Sequence, residues 1–154
     1  MQTLVIPAPL DKAFTPIHRA LQAFEQRAQA LDGPWVRIAL ERNDALVATQ
    51  DMRVLPQGED DALNLRMVER MVKSMLWVYG GFRVTVAGSP LIAQGIREQY
   101  RAGGARAFDA DFMARVYEHP FEVLGVDRVE DAPKERAFSA PVGRHLDGCR
   151  IGFD

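Results

Sequence analysis

The chain has 154 residues, 47% of them hydrophobic, which is the size and composition of one globular domain with its own core. Its 19 basic and 21 acidic side chains give a formal net charge of −2, so no broad positive field favours nucleic acid. A single cysteine, Cys149, excludes an internal disulfide and cysteine-rich zinc frameworks. No run approaches the roughly 20 apolar residues of a membrane span, and the first residues are unlike a secretory leader. We therefore expect a cytoplasmic protein without a membrane segment.

The first predicted elements are an extended lead-in and an amphipathic helix. Leu4–Ile6 is a short apolar run between polar residues and prolines. Apolar side chains then recur three and four residues apart over Phe14–Leu31. Thr15-Pro16 suits the first turn of this helix, and Gly33-Pro34 ends it.

A hairpin and a second helix follow. Trp35–Leu40 and Ala45–Val54 are extended runs on either side of the turn residues Asn43-Asp44, which predicts a β-hairpin. After a polar loop at 57–61, a wide apolar stripe over Leu65–Tyr79 predicts the main buried helix. The methionines and aromatic residues of this helix could form an adaptable binding surface, but their position on and beside the apolar stripe favours core packing; they are Met67, Met71, Met75, Trp77 and Tyr79.

Strands and helices then alternate. Phe82–Ala87 is a predicted strand, and Ser89-Pro90 is a good cap and first-turn pair for a helix that ends near Tyr100. Gly103-Gly104 breaks the chain before a shorter helix that Asp109 is expected to cap. A last strand is predicted at 121–126. This order predicts an α/β fold, a mixed and partly parallel sheet with helices packed on it.

The composition also suggests where the domain ends. The compact α/β domain is predicted to span residues 1–127, because residues 128–142 are rich in charged residues, alanine and proline and resemble an exposed linker. Residues 143–154 form a C-terminal tail that ends in a strand-like run. We expect this tail to begin a second domain.

Two places could bind an anion or another polar ligand. The turn at Gly88 and Ser89 lies between a strand and a helix, where backbone N–H groups and the helix dipole can hold an anion, although helix capping alone also explains it. Arg101, Arg106, Asp109 and Asp111 lie close to the Gly103-Gly104 break. They could bind a polar ligand or perform acid–base chemistry, or simply cap a helix and form a local ion pair.

No residue pattern predicts a metal site or a nucleophile with its base. The three histidines, His18, His119 and His145, lack zinc-binding spacing, and Cys149 has no cysteine partner nearby. The two helices around Gly103-Gly104 resemble a helix-turn-helix, but the break is longer than the usual turn. We therefore predict no catalytic residue, no metal and no cofactor for this chain.

The end of the chain carries a family resemblance. Ile151–Asp154, Ile-Gly-Phe-Asp, resembles the opening of the first phosphate motif of the actin-like sugar kinases. Residues 104–113 (Gly-Ala-Arg-Ala-Phe-Asp-Ala-Asp-Phe-Met) and 143–149 (Gly-Arg-His-Leu-Asp-Gly-Cys) add to this likeness. With them the chain resembles the N-terminal region of bacterial ROK-family proteins (repressor, open reading frame, kinase), in which an α/β region precedes a kinase-like fold.

The resemblance implies a function for a longer parent protein. It implies ATP-dependent phosphorylation of a sugar, or sugar-responsive transcriptional control, with Gly152 and Asp154 near phosphate and Mg²⁺. The glycine-rich hairpin and the catalytic base of that family do not follow Asp154 in this sequence, so no kinase activity is expected here.

Three functions therefore compete. The first is a non-catalytic accessory domain that packs on its own kinase-like domain or self-associates. The second is a small-molecule-binding domain that uses the turn at Gly88 and Ser89. The third is a DNA-binding regulator domain.

Overall fold

The computed structural model describes residues 15–137, which form a four-stranded sheet with helices packed on one face. Two short 3-10 turns, Asn43–Ala45 and Val129–Asp131, complete this part of the chain. The helices are α1 (Ile17–Ala30), α2 (Asp61–Tyr79), α3 (Pro90–Tyr100) and α4 (Ala107–Tyr117). The strands are β1 (Trp35–Glu41), β2 (Val47–Arg53), β3 (Arg83–Ala87) and β4 (Glu122–Val126).

The sheet has the strand order β2-β1-β3-β4. β1 pairs antiparallel with both β2 and β3, whereas β3 and β4 are parallel. Parallel neighbours need a long crossover connection, and α3 and α4 supply it between β3 and β4. The predicted hairpin and the predicted mixed, partly parallel sheet are confirmed.

Local capping sets where α2 and α3 begin. The carboxylate of Asp60 accepts a hydrogen bond from the backbone N–H of Leu63, so α2 begins inside the segment predicted as a polar loop. α2 ends at Gly80, whose φ of 70° favours glycine. For α3, the hydroxyl of Ser89 accepts a bond from the N–H of Ile92 and Pro90 is the first helical residue, as predicted.

The start of α4 differs from the prediction. The helix begins at Ala107, and the residue before it, Arg106, makes no capping bond through its side chain. Asp109 lies in the first helical turn, and its carboxylate bonds to side chains of α2 instead of to the helix's own backbone. The predicted capping role of Asp109 is therefore wrong, because a tertiary partner competes for that carboxylate.

The core lies between the helices and one face of the sheet. Val36, Ile38 and Leu40 of β1 alternate toward the helices and are fully buried, as the two-residue period of a strand requires. Val68 and Val72 of α2 pack into the same apolar cluster. Burial of each such side chain contributes about 1.5–3 kcal/mol.

The segment after β4 packs on part of the opposite face of the sheet and pairs with the edge strand β2. The 3-10 turn Val129–Asp131 contacts β1 and β3, and Arg136 exchanges two backbone hydrogen bonds of 2.9 Å with Val47. Gly88 lies beneath this turn with a φ of 92°, and a Cβ there would lie 2.5 Å from the carbonyl oxygen of Trp35. The described part of the segment predicted as a linker thus packs against the sheet.

Two predicted features lie outside the described residues. They are the extended lead-in at Leu4–Ile6 and the tail at 143–154, which contains Gly152 and Asp154. Among residues 15–137, no helix is both long enough and apolar enough to span a membrane.

Candidate functional site

The turn at Gly88 and Ser89 uses its polar groups within the fold. The backbone N–H of Gly88 donates to the carbonyl oxygen of Val126 at 3.1 Å. The hydroxyl of Ser89 accepts from the N–H of Ile92 at 3.4 Å. The structure thus places both residues at the start of α3 and engages them in the packing of the sheet and the helix.

Arg106 is held by a carboxylate of α2. Its Nε and Nη2 donate to the two oxygens of Glu69 at 2.5 and 3.1 Å, a bidentate geometry that strengthens both bonds. The Glu69 side chain is only 7% exposed, and charges at such positions are normally paired. The hydrogen bond from Arg106 to Glu69 raises the pKa of Arg106 above its usual value.

The sequence did not identify Glu69, which lies 37 residues before Arg106. A signal was present, because Glu69 is four residues after Leu65 and three before Val72, both on the apolar stripe of α2. An acidic residue within such a stripe requires a partner when it is buried.

Asp109 is also held by α2. Its Oδ1 accepts a bond of 2.9 Å from the indole N–H of Trp77, and its Oδ2 lies 3.5 Å from Nζ of Lys73. We refer to Glu69, Lys73, Arg106 and Asp109 together as the ion-pair cluster. This cluster joins α2 to α4 and to the residue before it.

A buried phenol lies beside this cluster. The hydroxyl of Tyr100 is buried and has no hydrogen-bond partner among the described residues. Burial, and then the negative charges of Glu69 and Asp109, raise the pKa of Tyr100 above its usual value. The phenol is therefore neutral at physiological pH, and its ring stacks on Phe121 at 5.4 Å between centroids.

Asp111 does not join the ion-pair cluster. It forms an exposed ion pair of 2.7 Å with Arg115, one turn further along α4. Arg101 pairs separately with Glu98 of α3, also at 2.7 Å. The residues grouped around the glycine break by sequence therefore belong to three separate ion-pair arrangements.

An exposed aromatic surface lies next to the ion-pair cluster. The rings of Trp77 and Phe112 stack with centroids 5.4 Å apart, and Phe108 lies 6.2 Å from Phe112. Trp77, Phe108, Phe112 and Val116 are 49%, 71%, 40% and 55% exposed, and we call these four residues the aromatic surface. The assignment of Trp77 to the core is thus wrong, as is that of Tyr79, which is also 49% exposed.

A cleft of about 400 Å³ opens between the ion-pair cluster and Trp77. Arg70, Lys73 and Arg106 line it, but Arg106 is bonded to Glu69 and Lys73 lies 3.5 Å from Asp109, so Arg70 supplies the positive charge beyond these two pairs. The cleft is therefore suited to a small anion or a ligand that carries one. A larger concavity of about 790 Å³ near Phe82 contains Arg83, which is already bonded to Glu41 and Glu122.

No group of histidine, cysteine or acidic side chains within residues 15–137 has the arrangement of a metal site. The chain matches no protein-family model, no curated protein and no solved structure.

Proposed function

We propose that this chain is a non-catalytic accessory domain of a ROK-like sugar kinase or sugar-responsive regulator, and that it works by binding protein through the aromatic surface. The observation that carries the proposal is the row of stacked, exposed rings of Trp77, Phe108 and Phe112. Large exposed apolar patches mark interaction sites, and aromatic side chains are enriched at the centres of protein interfaces.

The buried carboxylates support a structural role for this region. Glu69 accepts both bonds of a bidentate arginine, and Asp109 accepts from an indole and pairs with a lysine. Both carboxylates thus hold α2 and α4 in one geometry. This positions Trp77 beside Phe112 and makes the aromatic surface a pre-organised surface, which lowers the entropic cost of binding.

Within this proposal, ATP and Mg²⁺ belong to a longer cytoplasmic parent protein. Gly152 and Asp154 are the residues of this chain that would contribute to the phosphate site, by resemblance. Phosphoryl transfer depends on several positioned groups acting together, so one aspartate is not expected to support turnover.

Two measurements test the proposal. The 154-residue chain is assayed with ATP and hexoses, and we expect no phosphorylation above a blank; turnover would refute the non-catalytic role. The gene is also read past the codon for Asp154 and its longest product is purified. A reading frame that stops there, without encoding a kinase-length domain, contradicts the proposal of a longer kinase-like parent protein.

Hydroxyl-radical labelling of the longest product tests the surface itself. We expect Phe108 and Phe112 to be labelled far less than their exposure in the isolated domain implies. Leu91 is the matched reference, because it is exposed and is the second residue of α3, as Phe108 is of α4. Labelling of both phenylalanines at the same level as in the 154-residue chain, with Leu91 equally labelled in the two proteins, counts against a protein-binding surface.

A second candidate function, small-molecule binding, is favoured by the positively charged cleft beside Trp77. Inorganic phosphate and small carboxylates are the probes, and binding to the folded chain raises its melting temperature by mass action. An Arg70→Met variant should lose such a shift, since Arg70 lines the cleft and does not belong to the ion-pair cluster. An equal shift in both proteins rejects this cleft as the site.

A further inference from the structure

α4 is apolar on two opposite sides. Ala110 and Met113 are buried against the rest of the domain, while Phe108, Phe112 and Val116 are exposed, although Phe112 also stacks on Trp77 of α2. Exposed apolar side chains grouped on one side of a helix are typical of a surface that another element covers. The outer side of α4 therefore has the character of an interface.

The order of residues along α4 restricts what can cover it. Phe108, Phe112 and Val116 are spaced by four and form one row on the helix. Asp111 and Arg115 are also spaced by four and form a second row on one flank of the first. The acidic residue comes first along the chain and the basic residue comes second.

We propose that the aromatic surface binds the same surface of a second copy of this chain, with the two α4 helices antiparallel about a two-fold axis. This inference rests on the proposed protein-binding role and names the partner. A two-fold axis near Phe112 and Met113 reverses the direction of the second helix. It sets Phe112 against Phe112 of the second copy, and Phe108 against Val116 of the second copy.

The same axis makes the flanking charges complementary. With the axis between residues 112 and 113, Asp111 of each copy lies within one residue, about 1.5 Å along the helix, of the level of Arg115 of the other. Each acid then has a basic neighbour along its own helix, at 2.7 Å, and another across the axis. A parallel arrangement about a two-fold axis would instead place the two Asp111–Arg115 rows on opposite sides of the interface, where they could not pair with each other. Complementary charges fix the orientation of an interface more than its affinity.

The size of the surface indicates a weak dimer. An aromatic side chain has about 150–250 Å² to bury, so the partly exposed rings of Trp77, Phe108 and Phe112 supply a few hundred Å² per copy. A stable interface buries about 800 Å² per partner. We therefore expect a monomer–dimer equilibrium that depends on protein concentration.

Charge reversal and its repair form the test. The 154-residue chain, its Asp111→Arg variant, its Arg115→Asp variant and an equal mixture of the two variants are compared by sedimentation equilibrium over a range of concentrations. We expect the unaltered chain to dimerise and each variant alone to be monomeric, since each places like charges across the axis. The mixture should dimerise again. Positions 111 and 115 are both basic in the Asp111→Arg variant and both acidic in the Arg115→Asp variant, so the two variants attract each other.

A matched control keeps the test specific. Glu98 and Arg101 form a similar exposed pair on α3, so Glu98→Arg should leave dimerisation unchanged. Circular dichroism checks that every variant is folded, which is expected because Asp111 and Arg115 are 59% and 78% exposed. An unaltered chain that stays monomeric, variants that dimerise as it does, or a mixture that stays monomeric would each overturn the inference.

This outcome is separable from that of the proposed function. If the unaltered chain is monomeric while Phe108 and Phe112 are protected in the longest gene product, the surface binds another protein domain and only the dimer is refuted. If the mixture dimerises but the gene encodes no kinase-length domain, the dimer stands and the proposed parent is refuted.

Discussion

The indole N–H of Trp77 in α2 donates a hydrogen bond of 2.9 Å to the buried carboxylate of Asp109 in α4. The same indole stacks on Phe112, three residues further along α4. One side chain of α2 is thus joined to α4 by a polar contact on its edge and an aromatic contact on its face. These two contacts fix the position of the aromatic surface.

Loss of the Asp109 carboxylate should therefore destabilise the domain. We expect Asp109→Ala to lower the free energy of unfolding by about 1–3 kcal/mol, because the indole N–H and Lys73 lose a buried partner. Asp111→Ala is the control, and its effect should stay within about 0.5 kcal/mol since its ion pair is exposed. Urea unfolding at low protein concentration measures both, and equal effects would contradict the assignment of Asp109 as the structural carboxylate.

The bidentate pair between Glu69 and Arg106 gives a second prediction. Arg106→Gln should cost about 2–3 kcal/mol of stability, because it removes charge-assisted bonds and leaves the buried carboxylate of Glu69 without a cation. Adding Glu69→Gln should recover part of that loss, since the buried group is then neutral. A double-mutant cycle by urea unfolding measures the coupling between the two residues. Strictly additive effects would show that the pair contributes nothing as a unit.

Gly88 gives a third prediction, which concerns the backbone. Gly88→Ala should destabilise the domain more than Gly103→Ala, although both glycines have a positive φ. A Cβ at Gly88 would lie 2.5 Å from the carbonyl oxygen of Trp35, whereas at Gly103 it would meet nothing within 4 Å. Strain in the left-handed region alone costs about 1–2 kcal/mol, which is the expectation for Gly103. Thermal unfolding compares the two variants. An equal loss of stability at both positions would show that the backbone at Trp35 shifts to accommodate the added methyl group, so that the close approach costs nothing.

The elements that could be predicted from the sequence are those with local causes. The hairpin follows from two alternating runs around Asn43-Asp44, and the start of α3 follows from Ser89-Pro90. Each of these signals lies within a few residues of the structure that it specifies. The mixed sheet then follows from the order of the elements.

The ion-pair cluster and the aromatic surface depend on how α2 packs against α4. This packing could not be predicted from the residue pattern of either helix alone. Glu69 and Arg106 are 37 residues apart, and the glycine break suggested nearer partners for Arg106. Trp77 follows the buried Leu76 directly, and one step along a helix turns a side chain by about 100°, out of the core. The apolar stripe of α2 is wide, and its sequence does not show which of its side chains lie at the edge of the buried face and are therefore exposed.

The last prediction concerns acid stability and the opposite face of the sheet. Nε and Nη2 of Arg37 donate to the two carboxylate oxygens of Asp51, each at 2.6 Å, across the β1–β2 pair. These bonds hold the pKa of Asp51 below its ordinary value of 3.8. Because the folded chain keeps this carboxylate ionised at a lower pH than the unfolded chain does, its contribution is complete above pH 3.8 and is lost as the pH falls through the lower folded value.

Melting temperatures of the unaltered chain and of Asp51→Asn, measured from about pH 7 down to about pH 2.5, should therefore converge. The unaltered chain should be the more stable near neutral pH, and the difference should shrink only below pH 3.8. Glu98→Gln removes an acidic charge from an exposed pair on α3 and controls for the change in net charge. A difference between the unaltered chain and Asp51→Asn that stays constant across the whole range would mean that the pair with Arg37 does not favour the ionised carboxylate in the folded chain.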